Sequence, residues 1–478
     1  MIDTAIKLAL DTPQFFFDEE WIAHGQRVAR RWLPAEVYPE PILRADRPWE
    51  GPAVVLYGTV LPHPAGKGYR LYYSNFVPGV TYSHAGRRRA WPCTMLAESE
   101  DGLNWRKPEL DIYPTEDGAP TNRVYCPGDH WDSPSLLDDP ADAEARYKMM
   151  GYGFDTFSKR WGEKWGMYGL ASRDGLHWQS LRPDGLPILR AGDRSNLLPE
   201  RVEGEYCLYT RHKEMWAQTG CRAIYLSRSR DFREWSEPEL VLAPDRSDEP
   251  EVEFYGISVF RRHGWFIGLL EYWRSESDCI EVHLAFSRDG RRWERPQPHV
   301  PFIGASCPWN AKWTSCAGNG PIYLNEQMVF YFGGRLTSHH YDSARLHGAI
   351  GYASLALDRF CALEGRYPGS HIVTVPFAWP GGQLVLNADT RESYDSHPLL
   401  CEGEIAVEVL DAEGTPLPEW SGEQKATFRG NTHCRGAINA VAVRWPGERG
   451  LDRLTGQTIR LRFTLHHARL FTFEASSG

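Results

Sequence analysis

One short motif recurs along the chain and constrains its fold more than any other feature. Ser99-Glu100-Asp101-Gly102-Leu103-Asn104-Trp105 returns as Ser172-Arg173-Asp174-Gly175-Leu176-His177-Trp178 and as Ser287-Arg288-Asp289-Gly290-Arg291-Arg292-Trp293. Ser229-Arg230-Asp231-Phe232-Arg233-Glu234-Trp235 is a looser copy. Each copy follows a short apolar run, at 94–97, 167–171, 223–226 and 282–286. Asp-Gly after such a run signals a tight turn between antiparallel strands. The Asp carboxylate can hold the turn backbone, Gly takes positive φ, and the Trp packs back on the sheet. The motif therefore reads as a structural staple, repeated at roughly the spacing of an all-β repeat architecture.

Two further strand-like runs precede most copies: 53–58 and 69–73, 135–137 and 147–152, 255–260 and 265–270. A unit without the turn motif follows, with strands at 320–324, 327–332 and 348–353. Four strands per unit and five units predict an all-β chain with a five-bladed β-propeller over residues 1–365. Helical periodicity is confined to Ala23–Arg31. Beyond the propeller, Ile405, Val407 and Val409, then Ile459, Leu461, Phe463 and Leu465, alternate with polar residues. Alternation of this kind marks a half-buried antiparallel sheet, so residues 366–478 are expected to form a C-terminal β-sandwich. Segments 363–370 and 379–382, with their Pro and Gly, mark the join.

Composition narrows the function classes. The 478 residues carry a net charge of −10, which argues against a broad nucleic-acid or anionic-membrane surface. No apolar run approaches the roughly 18 residues a membrane span needs. The first residues lack the pattern of a leader, so a cytoplasmic location is expected. The ten cysteines form no Cys-x-x-Cys pair and read as reduced thiols; Cys307 and Cys316 fit no usual zinc spacing, so no metal or other cofactor is predicted. Nucleotide-loop and serine-hydrolase motifs are absent. The 19 Trp and 22 Tyr suit an all-β core and a sugar-stacking cleft alike.

The repeated turns, the run Trp131-Asp132-Ser133-Pro134-Ser135-Leu136-Leu137-Asp138-Asp139-Pro140 and the alternating C-terminal strands together resemble five-bladed propeller glycoside hydrolases. The likeness is to glycoside hydrolase family 32, the β-fructosidase group with a C-terminal β-sandwich, and to the family 43 propellers. It implies a glycosidase acting on a small furanoside or related oligosaccharide, with carboxylates at the inner ends of the first strands converging on the propeller axis. The family 32 run Trp-Met-Asn-Asp-Pro-Asn-Gly and its Glu-Cys pair are absent. A propeller glycoside phosphorylase, as in family 130, and a non-catalytic carbohydrate-binding propeller are the alternatives.

Glycoside hydrolysis needs two carboxyl groups across the scissile bond. Acids placed just before inner strands are Glu50, Asp132 and Glu253. The resemblance implies Glu50 as nucleophile or base, Asp132 as transition-state stabiliser or tuner of the acid, and Glu253 as general acid. Glu251 shares a face with Glu253 in an extended segment. Asp193 and Glu203 are weaker candidates in the third unit. Trp49, Trp131, Trp309, Lys312 and Trp313 sit ahead of inner strands and are expected at the rim, where rings and donors hold sugars. Arg211 and His339, with Arg335 and the adjacent basic residues, form a candidate phosphate or sugar contact. The expected partner is a small carbohydrate; a sandwich packed on the propeller and one mediating a homo-oligomer are equally compatible with this sequence.

Overall fold

The computed structural model describes residues 10–76, 92–154, 162–211, 219–338, 347–390, 403–433 and 441–476. Their named elements are β-strands and three-residue 3-10 turns, so the chain is all-β. It divides into two compact units.

The larger unit spans Ala35–Ile322 and Val329–Ser354. Four of its sheets are consecutive antiparallel meanders of four strands each, beginning with Ala53–Pro62, His130–Asp138, Asn196–Leu197 and Val252–Arg262. A fifth sheet is ordered Trp313–Cys316, Gln327–Arg335, Gly348–Ala356 and then Glu36–Val37, so an early strand supplies its outer edge. First strands of successive sheets are tied directly. Thr59 Oγ1 accepts from Leu136 N at 3.0 Å, Ser135 Oγ from Leu197 N at 2.9 Å, and Asn196 Nδ2 donates to Ile257 O at 2.9 Å. The fifth sheet returns to the first through Gly318 N to Gly58 O at 2.8 Å.

The predicted turn staple forms at every copy of the motif. In the first, Asp101 Oδ1 accepts from Leu103 N and Asn104 N at 2.9 and 2.8 Å, Gly102 N donates to Ser99 Oγ at 2.9 Å, and Trp105 Nε1 donates to Gly102 O at 3.1 Å. The staple also joins sheets, which the sequence pattern did not reveal. Tyr72 Oη of the first sheet donates to Gly175 O in the second at 3.1 Å, and Tyr209 Oη of the third to Gly290 O in the fourth at 3.0 Å. Tyr331 Oη of the fifth sheet donates to Gly102 O in the first. Each carbonyl is exposed by its turn and finds a buried phenol, so local turn chemistry specifies how neighbouring sheets meet.

The smaller unit comprises Met1–Pro34, Tyr323–Met328 and Leu355–Gly478. Its two six-stranded sheets share one core, with Leu384, Leu386, Leu470 and Phe473 from one and Ile372, Val407, Leu461 and Phe463 from the other. The alternating strands pair as their pattern predicts: Ile405 opposite Leu465, Val407 opposite Phe463 and Val409 opposite Leu461. Two expectations are corrected here. The segment with helical periodicity is two strands, Ile22–Gln26 and Val28–Trp32, separated by Arg27 at φ 54°. These strands pair with His371–Thr374 and Cys361–Gly365, so the described residues 10–34 belong with the C-terminal unit, whose later part begins at Leu355 rather than at 366.

A third correction concerns the thiols. Cys93 and Cys126 form a disulfide, because pairing of Thr94 with Tyr125 leaves their Cα atoms 4.5 Å apart. Cys401 and Cys434 lie outside the described residues.

Candidate active site

The inner strands of the larger unit are not regular, and their irregularities fall on one set of side chains. In Ala53–Pro62 the ladder skips between Val55 and Thr59, around Tyr57. In His130–Asp138 it skips between Asp132 and Ser135, with Ser133 at φ 49°. In Val252–Arg262 it skips between Phe254 and Gly256, leaving Tyr255 as the extra residue. Bulges bend a strand and re-aim a side chain, and they are over-represented beside active sites. In the third sheet Arg194 itself adopts φ 51°, just ahead of the strand.

The re-aimed groups meet. The Arg194 guanidinium carbon lies 4.7 Å from the centre of the Tyr57 ring, and that of Arg211 lies 4.7 Å from the Tyr255 ring. Tyr255 meets Trp313 edge-on at 5.0 Å and Trp273 at 5.9 Å. Arg335 covers Trp313 at 4.2 Å and Arg222 covers Trp273 at 4.5 Å. Burial pushes the Tyr57 phenol well above its usual range; Tyr255 and Asp132 push the same way, against Arg335 and Arg194. Four of the five sheets thus contribute to one cluster of tyrosines, tryptophans and arginines, and Asp132 of the second sheet acts on Tyr57 electrostatically.

Its charges divide into paired and unpaired. Arg194 is held by Glu271, both side chains 1 % exposed. Arg222 pairs with Glu253 at 2.8 Å. Arg211, 2 % exposed, pairs with Asp193 and donates through Nε to Asp193 O at 3.1 Å. Burial pushes the Arg211 guanidinium below its ordinary range, with neighbouring Arg222 adding to the effect against Tyr255 and Tyr57. Asp132 is half-buried. Its Oδ1 accepts from Ser133 N at 2.6 Å and Ser133 Oγ at 3.2 Å, and it forms no ion pair among the described residues.

Of the residues expected at the site, Arg211 and Trp313 lie in this cluster, Asp132 acts on its Tyr57, and Glu253 adjoins it through Arg222. Glu50 is a correction: it is fully buried, Oε1 accepts from Tyr73 Oη at 2.7 Å, and Oε2 accepts from Lys107 Nζ at 2.7 Å and from Asp46 N and Arg47 N at 3.0 Å. Oε2 is committed to Lys107 and the 3-10 turn Pro48–Glu50 and Oε1 to Tyr73, and the side chain is closed to solvent. Trp131 packs over Gly151 and bonds Thr94 Oγ1 at 2.9 Å, and Trp309 stacks on Phe332 and bonds Pro39 O at 3.0 Å; both are wedges between strands. Trp49 donates to Asn122 Oδ1 at 2.8 Å, and Lys312 Nζ to Ser277 O at 3.2 Å. Glu251 accepts from Ser275 N and Oγ through its carbonyl, at 3.2 and 2.8 Å. His339 lies outside the described residues.

Tyr57, Tyr255 and Arg194 were not singled out from the sequence. Tyr255 stands two residues beyond Glu253, and only the bulge separates its direction from that of its neighbours. Among the described residues, no group of three or more His, Cys, Asp or Glu is arranged to hold a metal, and no helix is long and apolar enough to cross a membrane.

No family model matches the chain, and no curated protein matches it. Solved structures do. The β-1,2-mannobiose phosphorylase from Listeria innocua aligns at 12 % identity over 70 % of this chain and 98 % of its own, with a TM-score of 0.48. A glycosyl hydrolase from Bacteroides ovatus aligns at 12 % identity over 68 % and 94 %, with a TM-score of 0.46. A structure described as belonging to the family 130 mannoside phosphorylases, which contains glycoside hydrolases targeting β-1,2 mannosidic linkages in Candida mannan, aligns at 12 % identity over 67 % and 94 %, with a TM-score of 0.46.

Proposed function

We propose that this chain is a carbohydrate-active enzyme that cleaves a glycosidic bond, with Asp132 as the proton donor. On this reading the five sheets of the larger unit are blades of a propeller and the two sheets of the smaller unit form a β-sandwich. The observation that carries the proposal is the state of Asp132: a half-buried carboxyl with no ion-pair partner among the described residues, beside a buried cluster of Tyr57, Tyr255 and arginines. A general acid must have its carboxyl free to reach the leaving oxygen, and a carboxyl not engaged by a cationic partner is the one so placed. Glu253 and Asp193 are held by Arg222 and Arg211, so they serve as base or orienting groups instead. As the bond between the sugar carbon and the leaving oxygen breaks, the proton of Asp132 passes to that oxygen. The aromatic rings supply apolar faces for the sugar.

One observation favours phosphorolysis over hydrolysis. Arg211, Arg222 and Arg335 gather over Tyr255, Trp273 and Trp313, and such a group of guanidinium donors is suited to an oxyanion such as phosphate. Phosphate would then attack the sugar carbon in place of water, and the second carboxylate would not be required.

The test is turnover of a panel of nitrophenyl furanosides and pyranosides, and of the corresponding disaccharides, with and without inorganic phosphate. Wild-type turnover on at least one substrate is expected, and it should fall by about three orders of magnitude in Asp132→Asn, the range for loss of an acid catalyst. Undiminished turnover in that variant overturns the assignment of Asp132. Turnover that requires phosphate selects the phosphorylase; turnover indifferent to phosphate selects the hydrolase.

A further inference from the structure

The smaller unit carries a cavity of about 350 Å³ that the catalytic reading does not use. It opens where the two-residue edge strand Val441–Ala442 pairs with Gln383–Asp389, Ala442 lying opposite Val385. The chain then passes through the 3-10 turn Pro446–Glu448. Leu384, Trp445 and Leu451 form an apolar lining, each 3 % exposed or less. Gln383, Arg444 and Glu448 are exposed around it, and their side chains make no hydrogen bond or ion pair with another described residue.

Two features separate this cavity from an ordinary surface dip. The Trp445 indole Nε1 is buried with no hydrogen-bond partner among the described residues. An unsatisfied buried donor costs on the order of 1–3 kcal/mol, and such groups in a native structure call for an explanation. Glu448 adopts φ 55°, directly after Gly447 at φ 72°. A non-glycine residue there stores strain of roughly 1–3 kcal/mol, a cost that tends to collect at ligand clamps. The wall is fixed from behind by Arg449, whose Nη1 donates to Glu419 O at 3.0 Å and Gln424 Oε1 at 3.1 Å.

The lining defines its ligand. The volume lies at the small end of the roughly 300–1,000 Å³ of small-molecule sites. An amide, the two guanidinium groups of Arg444 and Arg449, and a carboxylate offer donors and acceptors side by side, which matches neighbouring hydroxyls that both donate and accept. Glu448 opposes a phosphate or carboxylate ligand, and Arg444 opposes an ammonium. The apolar lining suits the C–H face of a sugar ring. We propose that this cavity is a carbohydrate-binding site, distinct from Asp132 and its neighbours, that takes one or two neutral sugar residues.

The proposal is independent of catalysis at Asp132, and the test keeps the two apart. The full chain carrying Asp132→Asn is titrated calorimetrically with glucose, mannose, galactose, arabinose, fructose and their homodisaccharides. The titration is repeated with Arg444→Ala and Glu448→Gln added together, with Gln383→Ala added alone, and with Arg211→Ala added alone. Binding of at least one sugar is expected, weakened tenfold or more by the cavity changes, whose melting midpoints stay unchanged, and retained with Arg211→Ala at a temperature where that chain is folded. Gln383→Ala, at an exposed position, serves if the double change unfolds the chain. Absence of binding by every sugar, or binding that the cavity changes leave intact, overturns the proposal. Catalysis is judged separately by wild-type turnover.

Discussion

Arg194 and Glu271 face each other across two sheets, with Arg194 Nε donating to both carboxylate oxygens at 2.9 and 2.8 Å and each side chain 1 % exposed. Gly256 makes the pair possible. A Cβ there would stand 2.5 Å from Arg194 Cγ and 2.8 Å from Glu271 Oε2. The same guanidinium also donates to Cys316 O at 2.6 Å, so one buried side chain links the third, fourth and fifth sheets beneath Tyr57.

Removing one partner strands a buried charge. Glu271→Ala is expected to cost about 3–5 kcal/mol of stability. Pairing it with Arg194→Met should recover part of that loss, since no charge is then left behind. Urea unfolding of both variants measures it, and a double variant no more stable than Glu271→Ala contradicts the account.

Glu50 and Asp132 should separate into a structural and a chemical carboxylate. Glu50→Gln weakens the bond from Lys107, whose side chain is 4 % exposed, and is expected to cost on the order of 3 kcal/mol. Asp132→Asn should leave the melting midpoint within a degree or two while abolishing turnover. Kinetics measured well below the melting point, where the Glu50→Gln chain is folded, distinguish the two: Glu50→Gln should retain wild-type kcat there.

Glu364 makes stability in the smaller unit depend on pH. Its side chain is 2 % exposed and meets Arg31 at 3.2 Å, Arg366 at 2.7 Å and Arg469 at 2.8 Å. Burial alone would raise its pKa; hydrogen bonds from Arg366 and Arg469, the Arg469 charge and Arg31 outweigh burial and hold it at about 2, against the usual 4.5. The unfolded chain therefore takes up this proton first as the pH falls. The contribution is present in full above about pH 5 and is lost as the pH drops toward 2, amounting to on the order of 2–3 kcal/mol. Thermal unfolding at pH 7 and pH 3 should show a smaller loss in Glu364→Gln than in wild type.

The turn staples predict a contrast between two glycines. Gly175 has φ 76° and an added Cβ would lie 2.5 Å from Tyr72 Oη, while Gly185, at φ 69°, has open space around it. Gly185→Ala should cost about 1 kcal/mol from backbone strain alone, and Gly175→Ala more, because the bond from Tyr72 must also shift. Equal melting midpoints for the two would count against the turn as an inter-sheet contact.

How much of this was legible in the sequence follows from how far apart the interacting residues lie. The turn motif was readable because Ser99, Asp101, Gly102 and Trp105 bond one another within a few residues. The alternating runs at 405–409 and 459–465 were readable because a strand's two faces are set by a period of two. Asp132, Arg211 and Trp313 were found as chemistry-bearing residues next to predicted strands, but their convergence was not. Tyr57, Asp132 and Tyr255 each stand at an irregularity of the ladder; the bulges at Asp132 and Tyr255 add one residue each, which reverses the face a side chain takes, and that around Tyr57 adds two, none of which changes composition or pattern.

Local chemistry thus belonged to the sequence alone: all-β character, turn positions and the apolar faces of the strands. Tertiary structure decided which candidate carboxylate was open. Glu50 is claimed by Tyr73 and Lys107, 23 and 57 positions away, and Arg194 by Glu271, 77 positions away. It also carried strands 22–26 and 28–32 to a unit built mainly from the other end of the chain. Such pairings depend on register and bulges accumulated over whole sheets, and no window of neighbouring residues contains them.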